Sequence, residues 1–151
     1  MNGEPRRAIT LSVWVNASPA AVFSLWTTAE GVRRFFADEA DIRLAVGGPY
    51  EIYFNPGAEP GLKGSEGARI IALETGKNLS FTWNAPPSLM HHRRAGFFSQ
   101  VHLRFLPENG GTLVHLLNEG YPVGAEYNDV FAYFSHAWRD VLDESEKALQ
   151  A

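Results

Sequence analysis

Apolar and polar residues alternate with a period of two in several stretches of the chain. In the first stretch, AITLSVWV, one side carries Ile9, Leu11, Val13 and Val15. A strand with one buried face requires this period-two spacing. Trp14 points to the opposite side of the strand. The segments ARIIAL and LSFTW predict two further strands with a turn between them. The core-facing residues of the second of these are Leu79, Phe81 and Trp83.

A second region of alternation runs from residue 40 to residue 54 and is interrupted at Gly47-Gly48-Pro49. The apolar sets on the two sides of this turn are Ile42, Leu44 and Val46, and then Tyr50, Ile52 and Phe54. This pattern predicts a β-hairpin. The next segment, NPGAEPGLKGSEG, is rich in proline, glycine and charge and has no periodicity, so we expect a mobile loop there.

The clearest strand register lies in QVHLRFLPENGGTLVHLLNEG. Its Asn109-Gly110 pair is the preferred sequence for a two-residue type I′ turn. The turn then pairs Glu108 with Gly111, Phe105 with Val114, and Leu103 with Leu116. The apolar positions of both strands agree in this register. The outer face of the hairpin then carries His102, Arg104 and His115.

Capping residues and three- and four-residue spacings indicate three helices. Ser18-Pro19 supplies an N-cap hydroxyl and a proline at the first helical position. Thr27 and Glu30 have the spacing of a capping box, which predicts a second short helix. From about Ala125 to Gln150, one broad apolar stripe indicates a long helix packed on a sheet. The stripe consists of Tyr127, Phe131, Phe134, Trp138, Val141 and Leu142.

The order is therefore strand, two short helices, six strands and a long carboxy-terminal helix. We predict an α+β fold in which a curved antiparallel sheet of about seven strands wraps around the long helix. The chain has 151 residues, of which 45% are hydrophobic, and this agrees with one domain over residues 1–151.

Charge and cysteine content narrow the function. Thirteen Lys and Arg residues against seventeen Asp and Glu residues give a net charge of −4, so we expect no nucleic-acid partner. The absence of cysteine excludes disulfides, thiolate metal sites and cysteine nucleophiles. The amino terminus lacks the apolar run of a signal peptide, and no stretch is long enough to span a bilayer. We therefore expect a cytoplasmic protein.

Several motifs, in this order along the chain, resemble those of the START-like, or SRPBCC, superfamily with its helix-grip fold. Within it, the chain is most similar to the branch named for homologues of the activator of the heat-shock protein 90 ATPase. The motifs are Ala17-Ser18-Pro19, Leu25-Trp26-Thr27, Arg33-Arg34-Phe35-Phe36, Val46-Gly47-Gly48-Pro49-Tyr50, Leu79-Ser80-Phe81-Thr82-Trp83, Gly110-Gly111-Thr112, Glu119-Gly120-Tyr121-Pro122 and Ala137-Trp138.

The chain departs from this branch at two places. Thr28-Ala29 stands where relatives often have Asp-Pro, and Asn118 stands where they often have a histidine. The eukaryotic co-chaperone that gave the branch its name also has a separate amino-terminal domain. The family name therefore does not by itself indicate a chaperone function.

The resemblance implies a deep, mainly apolar cavity between the sheet and the long helix. Various members use this cavity for lipids, sterols, polyketides or plant hormones, and a few members are cyclases or aromatases. We expect a polar anchor from Asn118 and Tyr127, since burial of their polar groups without a partner is costly. The predicted ligand-binding residues are Trp26, Phe36, Tyr50, Phe54, Trp83, Asn118, Tyr127, Phe131 and Phe134.

The five histidines are expected on the surface, and we expect no catalytic residue, metal or cofactor. They are His91, His92, His102, His115 and His136. The most favourable metal-binding pair is His102 and His115, with a third ligand from the loop MHHRRAGF. We expect this loop to be solvated. If it folds over the cavity mouth, Arg93 or Arg94 would meet the anionic end of a ligand.

Three functions from different classes remain open. The first is binding of an apolar or amphipathic small molecule that resembles a lipid, a polyketide or an aromatic compound. The second is a cyclase-, aromatase- or hydrolase-like enzyme that uses the same pocket. The third is a chaperone-accessory module that binds proteins through the outer sheet face and Trp14. The exposed phase of Trp14 also suggests a homodimer.

Overall fold

In the computed structural model, which describes residues 6–149, seven strands and four helices form the fold. The strands are β1 (Arg6–Val15), β2 (Glu39–Ile42), β3 (Tyr50–Tyr53), β4 (Ile70–Glu74), β5 (Asn78–Asn84), β6 (Phe98–Glu108) and β7 (Gly111–Pro122). The helices are α1 (Pro19–Thr27), α2 (Ala29–Phe35), α3 (Met90–Arg94) and α4 (Asn128–Ala148). Short 3₁₀ turns, Pro87–Leu89 and Ala125–Tyr127, precede α3 and α4.

The sheet is divided into two parts. Five strands form an antiparallel sheet in the order β1-β7-β6-β5-β4, and β2 pairs with β3 alone. The α+β class, the seven strands and the long final helix confirm the predicted fold, but the strands do not form one continuous sheet. Isolated bridges join this part of the chain to the residues that follow it, Pro49 to Arg69 just before β4 and Tyr53 to Gly64. Pro49 has no N–H group, so a regular ladder cannot continue through this position.

The β6–β7 hairpin has the predicted register. Asn109 and Gly110 have φ angles of 52° and 77°, as the type I′ turn requires. Phe105 lies opposite Val114, and Arg104 lies opposite His115. The local turn sequence and the alternation of the two strands therefore predicted this hairpin correctly.

The N-cap of α2 lies one residue later than predicted. Thr27 belongs to the last turn of α1, where its buried hydroxyl donates to the carbonyl of Phe23 at 2.8 Å. The Thr28 hydroxyl instead accepts a hydrogen bond from the Gly31 N–H at 2.9 Å and caps α2. The predicted cap of α1 is present, because the Ser18 hydroxyl accepts from the Ala21 N–H at 3.2 Å.

The predicted first hairpin is shorter than its alternating sequence. Strand β2 ends at Ile42, and Leu44, Val46 and Phe54 are exposed. Tight turns, including a hydrogen bond from the Gly48 N–H to the Ala45 carbonyl at 2.8 Å, replace the strand there. Apolar alternation alone therefore overestimated the paired length.

One core lies between the large sheet and α4. Helix α4 contributes its buried apolar residues to the core: Val130, Phe134, Trp138 and Leu142. Trp138 lies with its ring centroid 5.1 Å from that of Trp83 on β5. Within residues 6–149, no helix combines the length and the apolar character needed to cross a lipid bilayer.

Candidate functional site

An apolar cleft of about 190 Å³ lies between α4, the end of β5 and the loop that follows β3. Six aromatic residues line it: Phe36, Phe54, Trp83, Tyr133, Phe134 and Trp138. The smaller apolar residues of the wall are Ala85, Pro86, Pro87, Ala137 and Val141. Gly64, Ser65 and Asn84 complete it.

The aromatic rings of the cleft are packed around Trp83. Phe36 stacks on Trp83 with a centroid distance of 5.8 Å, and Phe54 meets it edge-on at 6.4 Å. These rings come from the end of α2, the chain after β3 and the inward face of β5. Phe134 and Trp138, one helical turn apart on α4, stack with a centroid distance of 6.1 Å. The site therefore depends on tertiary packing of four separate parts of the chain.

The cleft is open on one side. Trp83 and Trp138 are 4% and 1% exposed, whereas Phe54 and Tyr133 are 47% and 45% exposed. The exposed rings of Phe54 and Tyr133 therefore lie at the mouth of the cleft, beside its buried aromatic wall.

Ionisable groups are nearly absent from the cleft wall. Its fourteen residues include no Asp, Glu, His, Lys or Arg, and Tyr133 is the one titratable residue. The Asn84 amide donates to the Glu66 carbonyl at 3.2 Å. The Ser65 hydroxyl accepts from the Ile52 N–H at 2.8 Å. The wall therefore supplies apolar contact and lacks a general acid or base of the usual kinds.

A buried polar network lies beneath the wall and fixes Trp138. The Asn118 Oδ1 atom accepts from the Trp138 indole N–H at 2.9 Å and from the Tyr121 hydroxyl at 2.5 Å. Its Nδ2 atom donates to Ser99 Oγ and to the Gln100 carbonyl, each at 3.0 Å. Burial raises the pKa of the Tyr121 phenol, so this hydroxyl remains a donor. Asn118 is fully buried and positions a wall residue instead of lining the cleft.

The cleft brings together four of the nine predicted ligand-binding residues. These four are Phe36, Phe54, Trp83 and Phe134. Trp26 and Tyr50 are packed in the core, where the Tyr50 hydroxyl donates to the Trp26 carbonyl at 2.7 Å. Phe131 packs against Tyr121, and Tyr127 stacks on His92, so neither reaches the cleft wall.

Sequence reasoning missed several wall residues. Trp138 and Val141 belong to the predicted apolar stripe of α4, where core and cleft positions look alike in sequence. Pro86-Pro87 follows Trp83 closely, but proline on its own signals only a break in the strand. For Tyr133 no sequence signal pointed to the mouth, because it lies outside the stripe.

The loop MHHRRAGF is more ordered than predicted. Residues 90–94 form α3, and His92 is 4% exposed, so the surface assignment of His92 was wrong. Its burial results from stacking on Tyr127, with a centroid distance of 5.1 Å, and from contact with the Asp129 carboxylate at 2.8 Å. Asp129 is 37 positions away in sequence, so the pattern around His92 held no sign of it.

Arg93 lies outside the cleft and joins chain segments at its rim by hydrogen bonds. Its guanidinium donates to the carbonyls of Gly64 and Ala85 at 2.9 and 2.6 Å and also to the Gly61 carbonyl. The Glu66 carboxylate lies 3.4 Å away. Arg93 does not line the cleft, and Arg94 is exposed.

Glu66 organises the loop that was predicted to be mobile. Its carboxylate accepts from the backbone N–H groups of Gly61, Lys63 and Gly64 at 2.6, 3.0 and 2.8 Å. Burial raises the pKa of the Glu66 carboxyl, but these N–H donors outweigh burial and lower it below 4.5. Backbone hydrogen bonds to a single carboxylate therefore give residues 61–66 a defined conformation.

Of the histidine pair that was most favourable for a metal, His102 is engaged by other side chains. His102 lies 2.7 Å from a Glu119 carboxylate oxygen and 2.8 Å from the Ser80 hydroxyl. His115 lies opposite Arg104. In the part of the chain from residue 6 to residue 149, the group of three potential ligands that does converge is His91, His92 and Asp129.

A long carboxy-terminal helix held against an antiparallel sheet, with two short helices after the first strand, defines the helix-grip fold of the START-like, or SRPBCC, superfamily. More specifically, the family model for activator of Hsp90 ATPase homolog 1-like proteins matches residues 16–150, and the chain belongs to this family. The resemblance inferred from the sequence motifs is therefore confirmed.

Solved structures with the same fold come from several bacteria. Protein MLL2253 from Mesorhizobium loti has a TM-score of 0.74 at 20% identity, over 95% of this chain and 96% of that chain. The Aha1 dimer from Colwellia psychrerythraea, solved in solution, has a TM-score of 0.70 at 19% identity, over 95% and 96% of the respective chains.

A third similar structure is DynU16, a protein of the dynemicin biosynthetic locus. Its TM-score is 0.70 at 16% identity, over 96% of this chain and 48% of that chain. At these identities the likeness is one of fold. A comparison with curated proteins gives no match.

Proposed function

We propose that the protein binds a small, flat, uncharged apolar molecule, or the apolar end of a larger amphipathic one, in the aromatic cleft. The observation that carries this proposal is a wall of six aromatic rings that contains no Asp, Glu, His, Lys or Arg side chain. Pockets for small molecules are typically apolar with few polar groups. Flat ligands suit this wall because rings stack favourably on one another.

The volume of the cleft limits the ligand. A closed apolar cavity of about 150 Å³ holds benzene, and drug-sized ligands need about 300 Å³ or more. The cleft, at about 190 Å³, lies between these values. One or two fused rings fit inside, and any larger part of the ligand extends past Phe54 and Tyr133 into solvent.

Binding is favoured over catalysis by the same wall. A cyclase or hydrolase needs an acid, a base or a nucleophile within hydrogen-bond reach of its substrate. Ser65 and Asn84 already make hydrogen bonds with the protein, and the Tyr133 phenol lies at the mouth. A pure interaction module would have a cavity filled by the protein's own side chains. The open aromatic cleft argues against that function.

The charge around the cleft favours a neutral ligand over an acidic one. The guanidinium group of Arg93, at the rim, already contacts three carbonyls and one carboxylate. An anionic ligand would therefore have to displace existing hydrogen bonds of Arg93 or rely on the exposed Arg94. Replacement of Arg93 and Arg94 together therefore tests whether the ligand is acidic.

Titration with a matched pair of probes, 2-naphthol and 2-naphthoate, tests the proposal. The Ala137→Phe variant fills the cleft from α4, whereas Ala132→Phe adds the same ring to an exposed position of the same helix. Naphthol should quench tryptophan fluorescence in the wild type and in Ala132→Phe, and should bind at least about tenfold more weakly to Ala137→Phe.

Two outcomes would contradict the proposal. Equal naphthol binding by Ala137→Phe and Ala132→Phe would show that the cleft is not the binding site. Tighter binding of naphthoate than of naphthol, abolished when Arg93 and Arg94 are both changed to alanine, would replace the neutral ligand with an acidic one.

We also propose a homodimer that uses the outer face of β1. Trp14 is 38% exposed on this edge strand, and its indole N–H donates to the Glu108 carbonyl at 2.8 Å. The ring therefore stands in a fixed orientation on the β6–β7 hairpin. The Colwellia protein with the same fold is a dimer in solution, and this supports the proposal.

A further inference from the structure

Three potential metal ligands converge outside the aromatic cleft. His91 Nε2 lies 3.1 Å from Asp129 Oδ2, and His92 Nε2 lies 2.8 Å from Asp129 Oδ1. One ligand atom from each of the three residues lies within 4.8 Å of the other two. None of the three residues belongs to the wall of the cleft. The group is therefore a separate feature of the molecule.

The backbone and the neighbouring rings hold these ligands in position. The carbonyl of His92 accepts from the Phe97 N–H at 3.1 Å, which closes the end of α3. The His92 ring is stacked on Tyr127, with an interplanar angle of 24°. At the start of α4, Asp129 Oδ1 also accepts from the Val130 N–H at 2.7 Å. Helix α3 and the start of α4 thus pack against each other and present their ligand atoms to one point.

We propose that His91, His92 and Asp129 bind a zinc ion. Imidazole nitrogen and carboxylate oxygen are common zinc ligands, with bonds of about 2.0 to 2.2 Å in tetrahedral sites. Ligand atoms in such a site are about 3.4 Å apart by tetrahedral geometry. The distances of 3.1 and 2.8 Å run to the two different oxygens of Asp129, and one ligand atom from each residue lies within 4.8 Å of the other two, so adjustment of the side chains brings the three ligands around one ion.

The exposure of the three side chains suits a site with one open position. The His92 side chain is 5% exposed, whereas those of His91 and Asp129 are 61% and 43% exposed. One side of the site is therefore protein and the other side is solvent. Zinc can enter from the solvent side and take water as its fourth ligand.

The two imidazole rings lie close together and share one carboxylate. The ring centroids of His91 and His92 are 4.1 Å apart, and both Nε2 atoms lie within 3.1 Å of an Asp129 oxygen. Two imidazole nitrogens and one carboxylate form a ligand set that zinc accepts.

Calorimetric titration of the full chain with zinc chloride tests the site. The protein carries no histidine tag, is stripped with a chelator and is measured at about pH 7.5, where imidazole is mostly neutral. We expect one equivalent of zinc to bind. Loss of an outer-shell partner already weakens metal sites by about 10- to 100-fold. His91→Ala and Asp129→Asn should therefore each weaken binding at least tenfold, by the same principle.

His136→Ala is the matched control, because it removes an exposed histidine on the same α4 helix and should leave binding unchanged. Cobalt provides a second readout, since tetrahedral coordination gives visible absorption bands that the His91→Ala protein should lack. His91 and Asp129 are both exposed, so these variants should remain folded, and circular dichroism checks this.

Equal weakening by His136→Ala would mean that zinc binds nonspecifically to exposed histidines, and it would overturn the proposal. Wild-type binding weaker than about 100 μM would do the same, because a site of three fixed ligands should exceed this affinity. Neither outcome would affect the proposal for the aromatic cleft, which shares no residue with the zinc site.

Discussion

Replacement of Asn118 by alanine tests the link between the buried polar network and the wall of the cleft. The substitution removes the acceptor shared by the Trp138 indole N–H and the Tyr121 hydroxyl. Each buried donor left without a partner costs about 1 to 3 kcal/mol. Two such donors give a loss of about 4 kcal/mol in the free energy of unfolding. This is a large share of the roughly 5 to 15 kcal/mol that stabilises an ordinary domain.

Urea denaturation followed by tryptophan fluorescence measures this loss. Asn78→Ala is the control, since the Asn78 amide donates to Glu74 at 3.1 Å on the exposed surface and should change stability by less than about 0.5 kcal/mol. Asn118→Ala should also weaken naphthol binding, because the Trp138 ring is no longer fixed. A loss below about 1 kcal/mol, with an unchanged denaturant slope, would refute the reasoning about the network.

Three further predictions concern the rim, the loop and the sheet edge. Arg93→Ala should lower the free energy of unfolding by about 2 kcal/mol and admit protease cleavage near residues 61–66, whereas Arg94→Ala should change stability by less than about 0.5 kcal/mol; equal cleavage of both would contradict the role of Arg93. Because the folded pKa of Glu66 is depressed, its contribution is present above pH 4.5 and is lost as the pH falls through that folded pKa. The stability difference between wild type and Glu66→Gln should therefore shrink in acid, and a constant difference would count against this. Trp14→Ser should abolish a concentration-dependent mass in sedimentation equilibrium, and a wild-type monomer at every concentration would end the dimer proposal.

The parts of the fold that were predictable from sequence depend on neighbouring residues. Asn109-Gly110 determines its own turn, and the strands that it joins show the same alternation, so the register could be derived. The long helix was equally accessible, because Phe134 and Trp138 repeat at its period. Family motifs over nearly the whole chain supplied the order of the layers.

The features that escaped prediction depend on residues far apart in sequence. His92 is buried because Asp129 and Tyr127 approach it after folding, and no local pattern announces this. The loop around Glu66 resembles a disordered segment in composition, yet one carboxylate satisfies three of its backbone N–H groups. The alternating pattern wrongly predicted a strand at Leu44, because no partner strand extends that far to pair with it.

The buried polar groups of the core do not reach the cleft, and this limits the affinity expected of a ligand. Asn118 uses its carbonyl and amide for Trp138, Tyr121, Ser99 and Gln100, so no part of its amide remains to select a ligand. Recognition then depends on apolar area. A ring system that buries about 150 to 250 Å² gains about 4 to 6 kcal/mol at about 25 cal/mol per Å². Even before the cost of association is subtracted, this gain gives a dissociation constant no lower than about 40 μM. A natural ligand that binds more tightly must therefore make further contacts beyond the mouth, where Phe54 and Tyr133 are exposed.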